Sequence, residues 1–416
     1  MGNPKFWRES VTDIELALPR YAPEHDYIVH DASLPFPKFA KELEYDGIIL
    51  GSTFLDVRKH RSQYREIRDE YEFIGRSSAK TIALPQDDYN CAHILDDWMC
   101  DWNVSLVHSV ISEYLEILYP KYLTGLGKME LGFTGYISNK LLLRAKNAPS
   151  RSGRKVDFFY RGTALSPLFG RLGYTKGEFP QKFSNFLNGS KYTSDISVGI
   201  NSTLFGESWL DAIANSRFIL GSNSGSSILD SRGQIQAAVA RYLAANPDVR
   251  FEEVESACFA GCDEKYDFTA ISPRAWEAAL QDTCQLLVPG HYSGIMREWE
   301  HYIPVESDLS NIEEVMSAIE DKSAIKQIVR ACREVFLNEP RLKIENHVMN
   351  LLGEIGQADE INPKKTQEFK KTIERHKKYV EKISPLVWAA HSVKSKIRRH
   401  LPFVRSLYWK FRNPYW

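Results

Sequence analysis

The 416-residue chain has no uninterrupted run of about 18 apolar residues, which excludes a hydrophobic membrane-spanning helix. Its opening stretch, MGNPKFWRESVTDIEL, carries no apolar core of the kind a secretory leader needs, and Phe6 stands where N-myristoylation requires Ser or Thr. Six cysteines are scattered along it; Cys258 and Cys262 lie close together, but no second pair completes a zinc site, so free thiols are expected. GxxxxGK[ST] does not occur, which excludes a P-loop, and the Gly/Ser run GSNSGSS does not fit the dinucleotide fingerprint. Short tandem repeats are missing, and so is a clear Asp-x-Asp metal site. These absences lead to the expectation of a cytoplasmic protein without a bound metal.

With 43% hydrophobic and 26% charged residues, the chain can build full cores, and its length calls for two domains. The net charge of −1 hides an asymmetry: residues from Ile361 onward hold 15 Lys and Arg against 3 acidic residues. An acidic body with a basic tail points to a surface partner for the tail.

Apolar runs alternate with helical periods from residue 26 to 146, predicting strands at DYIVHDASL, DGIILGSTF, KTIALPQDDY, VSLVHSVI and MELGFTGYI. The polar stretch NAPSRSGRK (147–155) breaks the series, which then restarts with VDFFYRG, TSDISVG, RFILGSNSGSS, CQLLV and HYIPV. Two α/β halves follow: 1–147, a linker at 148–155, and 156–360. Residues 361–416 form a basic, aromatic tail. A parallel sheet covered on both faces is expected in each half, with a ligand cleft between them.

The stretch SPRAWEAALQDTCQLLVPGHYSG (272–294) holds the richest set of candidate residues. Ser272 suits a helix N-cap and Pro273 the first helical position. Arg274 and Glu277, three apart, share a face. They form either a surface ion pair or a ligand site, in which Arg274 forks onto phosphate and Glu277 accepts from ribose hydroxyls. Arg161 and Gly162 after one predicted strand, and Asn223, Ser224 and Gly225 after another, offer charge, small size and amides to the same ligand. Asp230 and Tyr160 are secondary candidates, while His291 and His301 read as structural histidines.

The run from ISPRAWEAALQDT to NIEEV resembles the donor half of GT-B glycosyltransferases, especially bacterial family-one-like and spore-maturation-like enzymes. The similarity spans about residues 156–332 and extends more faintly to LPQDDY and FTGYIS. It implies a GT-B fold, two Rossmann-like domains facing a cleft, with an acceptor-side first half and a donor-side second half. It also implies a nucleotide-diphosphate sugar as donor, with no further cofactor and no metal. EAALQDT puts Glu277 in the ribose-binding position; Arg274 approaches the diphosphate, and Tyr292, Ser293 and Gly294 close on the phosphates or sugar. The chain departs from the family at Thr269, where a second glutamate is usual, and at Asn223, where ESG is usual. The general base is sought in the first half, at Asp87 or Asp88, although both equally suit an Asx turn or an N-cap.

The expected acceptor is a cell-envelope glycan or lipid-linked saccharide, reached from the inner face of the cytoplasmic membrane. The alternatives on the same fold are a nucleotide-sugar epimerase or hydrolase, and a catalytically silent nucleotide-binding or scaffold protein. The tail carries Phe369, Ile373, Val380 and Ile383 near one helix face, and beyond Pro385 its Trp388, Phe403, Tyr408, Trp409, Phe411, Tyr415 and Trp416 interleave with cations. That composition suits an anionic membrane surface, with packing back onto the protein as the other reading of the first tail helix. Nucleic acid is not an expected partner of so acidic a body.

Overall fold

A computed structural model describes residues 9–125, 127–148, 153–356 and 363–400. The first half carries four parallel strands, β1 (Gly47–Leu50), β2 (Lys80–Ala83), β3 (Leu106–Ser109) and β4 (Lys128–Leu131), in the order 1-2-3-4. Helices α1 (Glu9–Glu15), α2 (Arg61–Glu70), α3 (Ala92–Asp101) and α4 (Asn139–Ala145) accompany them, with shorter helical turns. DYIVHDASL, expected to be a strand, is irregular in the structure. Its Asp31 turns the chain instead: the Asp31 carboxylate accepts from the Ser33 amide.

Winding in one direction puts the connecting helices of the first half on one face. Leu50, Ala83 and Val107 pack there with Leu95, Trp98 and Met99. Ile82, Leu84 and Leu106 point the other way, and a parallel sheet needs that face covered too. The cover is Ile14 and Leu18 from the N-terminal helices together with Leu351 and Ile355 from helix Ile344–Ile355, far along the chain. Sequence partition at 156–360 therefore differs from the spatial one, because the last helix of the second half layers onto the first.

The second half is doubly wound. Strands β5 (Val156–Gly162), β6 (Ser194–Val198), β7 (Ser216–Gly221), β8 (Ser224–Ser226), β9 (Phe268–Ala270), β10 (Cys284–Leu287) and β11 (Ile303–Pro304) alternate with helices. The latter are α5 (Gly170–Phe186), α6 (Gly206–Ala214), α7 (Gln234–Ala245), α8 (Phe251–Cys258), α9 (Pro273–Leu280), α10 (Ile312–Ala318), α11 (Lys322–Leu337) and α12 (Ile344–Ile355). The parallel sheet runs β11-β10-β7-β5-β6, so its order reverses between β5 and β7. Such a switch point opens a crevice at the carboxyl ends of the strands. Strands β8 and β9, not foreseen as a pair, form a separate antiparallel ribbon. The two halves are thus Rossmann-like α/β layers.

The tail forms one continuous helix, α13 (Pro363–His400), running through Pro385. Phe369 meets Tyr45, Arg375 stacks on Phe39, and Tyr379 donates to the Pro35 carbonyl, so its first turns pack back on the first half. The side chains from 388 and residues 401–416, which hold most of the tail's aromatic residues, lie outside the described residues. Among the described residues no helix is long and apolar enough to cross a membrane.

Candidate functional site

Helix α9 runs antiparallel to β10, which sets its N-terminus at the carboxyl edge of the second sheet. Ser272 caps it through an Arg274 N–H···Oγ bond, and Pro273 occupies the first turn. From that turn the Arg274 guanidinium reaches across the switch point. It donates to the Arg161 carbonyl at the end of β5 (2.6 Å) and to the Leu220 carbonyl near the end of β7 (3.3 Å). Tyr160 and Trp209 lie under it, with centroids at 4.7 and 5.3 Å. Two of the five guanidinium N–H groups serve these carbonyls, so the cation is held rigidly at the switch point. Glu277, one turn on, accepts from the Trp209 indole N–H at 2.7 Å. One aromatic ring therefore positions both members of the pair.

The loops around this point are braced against one another. The Asn223 side chain is buried and its Oδ1 accepts from the Tyr292 amide (3.3 Å); a Cβ at Gly290 would stand 2.0 Å from its Nδ2. Tyr292, Ser293 and Gly294 are consecutive left-handed residues, with φ of 45°, 53° and 71°. Left-handed backbone costs a non-glycine residue about 1–3 kcal/mol and persists only where neighbours over-determine it. Here the Tyr292 hydroxyl donates to the Val288 carbonyl, and Ser293 Oγ accepts from the Ile271 amide just before α9.

Several of the expected donor residues have other duties. The Arg161 side chain turns to β6, where it pairs with the Asp195 carboxylate and donates to the Asp195 carbonyl. Its main-chain carbonyl, not its charge, meets Arg274. Gly162 is required by Tyr160, whose hydroxyl would lie 2.4 Å from a Cβ there. Gly225 lies within the ribbon, and a Cβ would come 1.9 Å from the Phe268 carbonyl oxygen. Ser224 Oγ accepts from Lys176 Nζ on α5 at 2.9 Å. Lys176 brings a second cation near the sheet edge; it and Trp209 escape sequence reading because each resembles an ordinary residue of an amphipathic helix.

In the first half, the PQDDYN loop is organised by Arg58. This fully buried guanidinium donates to the Leu55, Gln86, Asp87 and Asn90 carbonyls. Asp88 is 0% exposed and its Oδ2 accepts from Tyr119 and Ser109. It cannot meet an acceptor, which corrects the expectation that it serves as base. Burial pushes its carboxyl up, with the Tyr119 and Ser109 hydroxyls opposing. Asp87 accepts from Lys59 and from the Tyr89 hydroxyl. Burial acts to raise its carboxyl, but Lys59 and that hydroxyl outweigh it and hold the group below the usual range. Asp230 is also structural: it bridges to Asn90 across the two halves, and its carboxylate accepts from the Gln236 amide at the start of α7.

The carboxyl edges of the two sheets meet. Thr134 donates to the Ile271 carbonyl, Tyr89 packs on Phe268, and a Cβ at Gly135 would touch Pro273 at 2.9 Å. Phe133, Tyr136, Ile271 and Trp276 share one core cluster across this seam.

No protein-family model matches the chain, and no curated protein does. Among solved structures, Anabaena HepE in complex with UDP-glucose aligns over 74% of this chain and 77% of its own, with 11% identity and a TM-score of 0.39. A glycosyltransferase from Rickettsia africae aligns over 76% of this chain and 100% of its own, with 13% identity and a TM-score of 0.25.

Proposed function

We propose that this chain is a glycosyltransferase that moves a sugar from a nucleotide-diphosphate donor to a cell-envelope glycan or lipid-linked saccharide. The observation that carries the reading is Arg274, a cation fixed across the switch point at the N-terminus of α9, with Glu277 one turn behind it. A nucleoside diphosphate is anionic at one end and hydroxyl-bearing at its ribose, and this pair offers a donor fork and an acceptor carboxylate in that order. As the bond between the anomeric carbon and the diphosphate breaks, negative charge grows on the leaving oxygen. Arg274, Lys176 and the α9 amides are preorganised to stabilise it, and preorganised charge is the largest usual source of rate.

In this reading the second half holds the donor and the first half the acceptor, with α12 belonging spatially to the first. The site works inside the cytoplasm, peripherally on the inner membrane face. Lys370, Lys371 and Lys378 are exposed on α13, where cations would meet lipid phosphates.

Calorimetric titration with UDP, GDP, dTDP and ADP on the wild type, Arg274→Ala and Glu277→Ala tests the proposal. One nucleotide should bind the wild type and lose about tenfold or more in affinity with either variant, since charge-assisted bonds contribute about 1.5–3 kcal/mol. Folded wild type that binds none of them would remove the proposal.

A further inference from the structure

Three segments far apart in sequence converge where the two carboxyl edges meet. Ser112, Glu113 and Tyr114 follow β3; Tyr266, Asp267 and Phe268 lead into β9; His291 follows β10. The Tyr114 ring packs on Tyr266 at 5.5 Å and on Phe268 at 5.8 Å. Ser112 Oγ stands 3.4 Å from His291 Nδ1. These contacts bracket Glu113 on one side of the seam and Asp267 on the other, and both carboxylates, like His291, are exposed to solvent. Although the Asp267 side chain reaches solvent, partial desolvation by the surrounding chain and then the neighbouring Glu113 raise its carboxyl above its usual range, while His291 opposes the shift. His291 is thus no isolated histidine.

The ring has a defined direction. Nδ1 faces Ser112, and Nε2 faces the loop 292–294, where a Cβ on Gly294 would lie 3.7 Å from it. That nitrogen lies beside the left-handed turn that borders the donor site.

We infer that His291 is the general base of the transfer, assembled by both halves, with Ser112, Asp267 and Glu113 as its positioning residues. This rests on the glycosyltransferase reading. With the Nδ1 proton donated to Ser112 Oγ, the Nε2 lone pair takes the proton of the acceptor hydroxyl. That oxygen bonds to the anomeric carbon, and the bond from that carbon to the diphosphate breaks, its electron pair leaving with the diphosphate. The carboxylates of Glu113 and Asp267 stabilise the imidazolium so formed. Because Ser112 and Glu113 belong to one half and His291 and Asp267 to the other, the base is complete only when the halves are together, which couples proton transfer to closure.

The first arm of the test needs no ligand. Nitrogen-15 NMR of the imidazoles, with His291 assigned by its loss in His291→Gln, should show neutral His291 as the Nδ1–H tautomer, and Ser112→Ala should shift it toward Nε2–H. An Nε2–H tautomer in the wild type overturns the inference, since the ring would then present a donor to the acceptor. The second arm measures nucleoside diphosphate release from a panel of UDP-, GDP- and dTDP-sugars across pH, with binding followed by calorimetry. His291→Gln should bind the donor as the wild type does but turn it over about 100-fold more slowly or worse, and lose the acid limb of the profile. Unchanged turnover in His291→Gln overturns the inference and leaves the donor site standing. Failure of the wild type to bind any nucleotide instead sinks the glycosyltransferase reading, and the base role falls with it.

Discussion

Arg58 donates to four main-chain carbonyls from a position with no solvent exposure, and three of those carbonyls belong to the loop 86–90 that abuts the second half. Removing it leaves buried acceptors unpaired at about 1–3 kcal/mol each. Arg58→Met should therefore lower the unfolding free energy by about 3 kcal/mol or more, read from urea titration. Asp88 allows a sharper test. Its folded-state carboxyl is raised by burial, so the native state binds a proton that the unfolded state has released. Its cost is absent below the ordinary carboxylate range and grows as pH rises through and above it. Asp88→Asn should accordingly gain stability relative to wild type between pH 4 and pH 8; a difference independent of pH would show that Asp88 is not raised. Neither role is visible in PQDDYN, where the aspartates read equally well as turn formers or as a base.

Helix α13 illustrates docking controlled by two histidines. His30 Nε2 lies 3.1 Å from the Leu34 carbonyl, so it carries the proton, and Nδ1 accepts from His376 Nε2 at 2.9 Å. Asp31 and Glu70 face His30, with Phe36 and Tyr71 packed on its ring, but burial prevails and lowers it. His376 is lowered to about 4 by burial and by His30. The undocked imidazoles bind more protons than the docked ones, so docking weakens as pH falls from about 6.5 toward 4. Hydrogen exchange over residues 366–383 should speed up at pH 5 relative to pH 7 beyond the intrinsic rate difference. His376→Phe should flatten that dependence.

At the same scale, strands β5, β7 and β10 and helix α9 were legible because apolar runs, a Ser-Pro cap and Gly endings all agree locally. The ribbon β8–β9 was not, since Ser224–Ser226 and Phe268–Ala270 pair across the 41 residues 227–267 with no hairpin signal. Nor was the continuity of α13: Ser384-Pro385 reads as a break, yet the helix passes through it.

At the scale of the molecule, the first sheet depends on a helix from the far end of the chain. Leu351 is buried with Ile82 and Leu106, and Ile355 would be struck by any Cβ at Gly47, 2.5 Å away. Leu351→Ala should cost about 2–5 kcal/mol, and the amides of β1, β2 and β3 should be the ones whose exchange accelerates. His347, on the same helix, is stacked on Tyr136 and lowered to about 3, chiefly by burial and then by His108. It adds a further loss of stability on acidification through about pH 6.5 to 3. Nucleotide binding between the halves would act the other way: at 100 times Kd a ligand specific for the folded state adds about 2.7 kcal/mol, visible as a rise in Tm that Glu277→Ala should cut to about half or less.

What the sequence by itself determined is the material that local physics can encode. This comprises two α/β series, the capped helix at 272 with Arg274 and Glu277 on one face, and a basic terminal helix with an apolar stripe. Periodicity, caps and turns act over a few residues, and so they survive in one dimension. Only the tertiary structure decided that Arg274 spans the ends of β5 and β7, that Trp209 holds Glu277, that Asp88 is sealed away, and that Ser112 and Glu113 face His291 and Asp267. Each of those depends on strand order and on the meeting of two sheet edges. That meeting is set by burial of apolar faces summed over the whole chain, a sum to which no single motif holds the key.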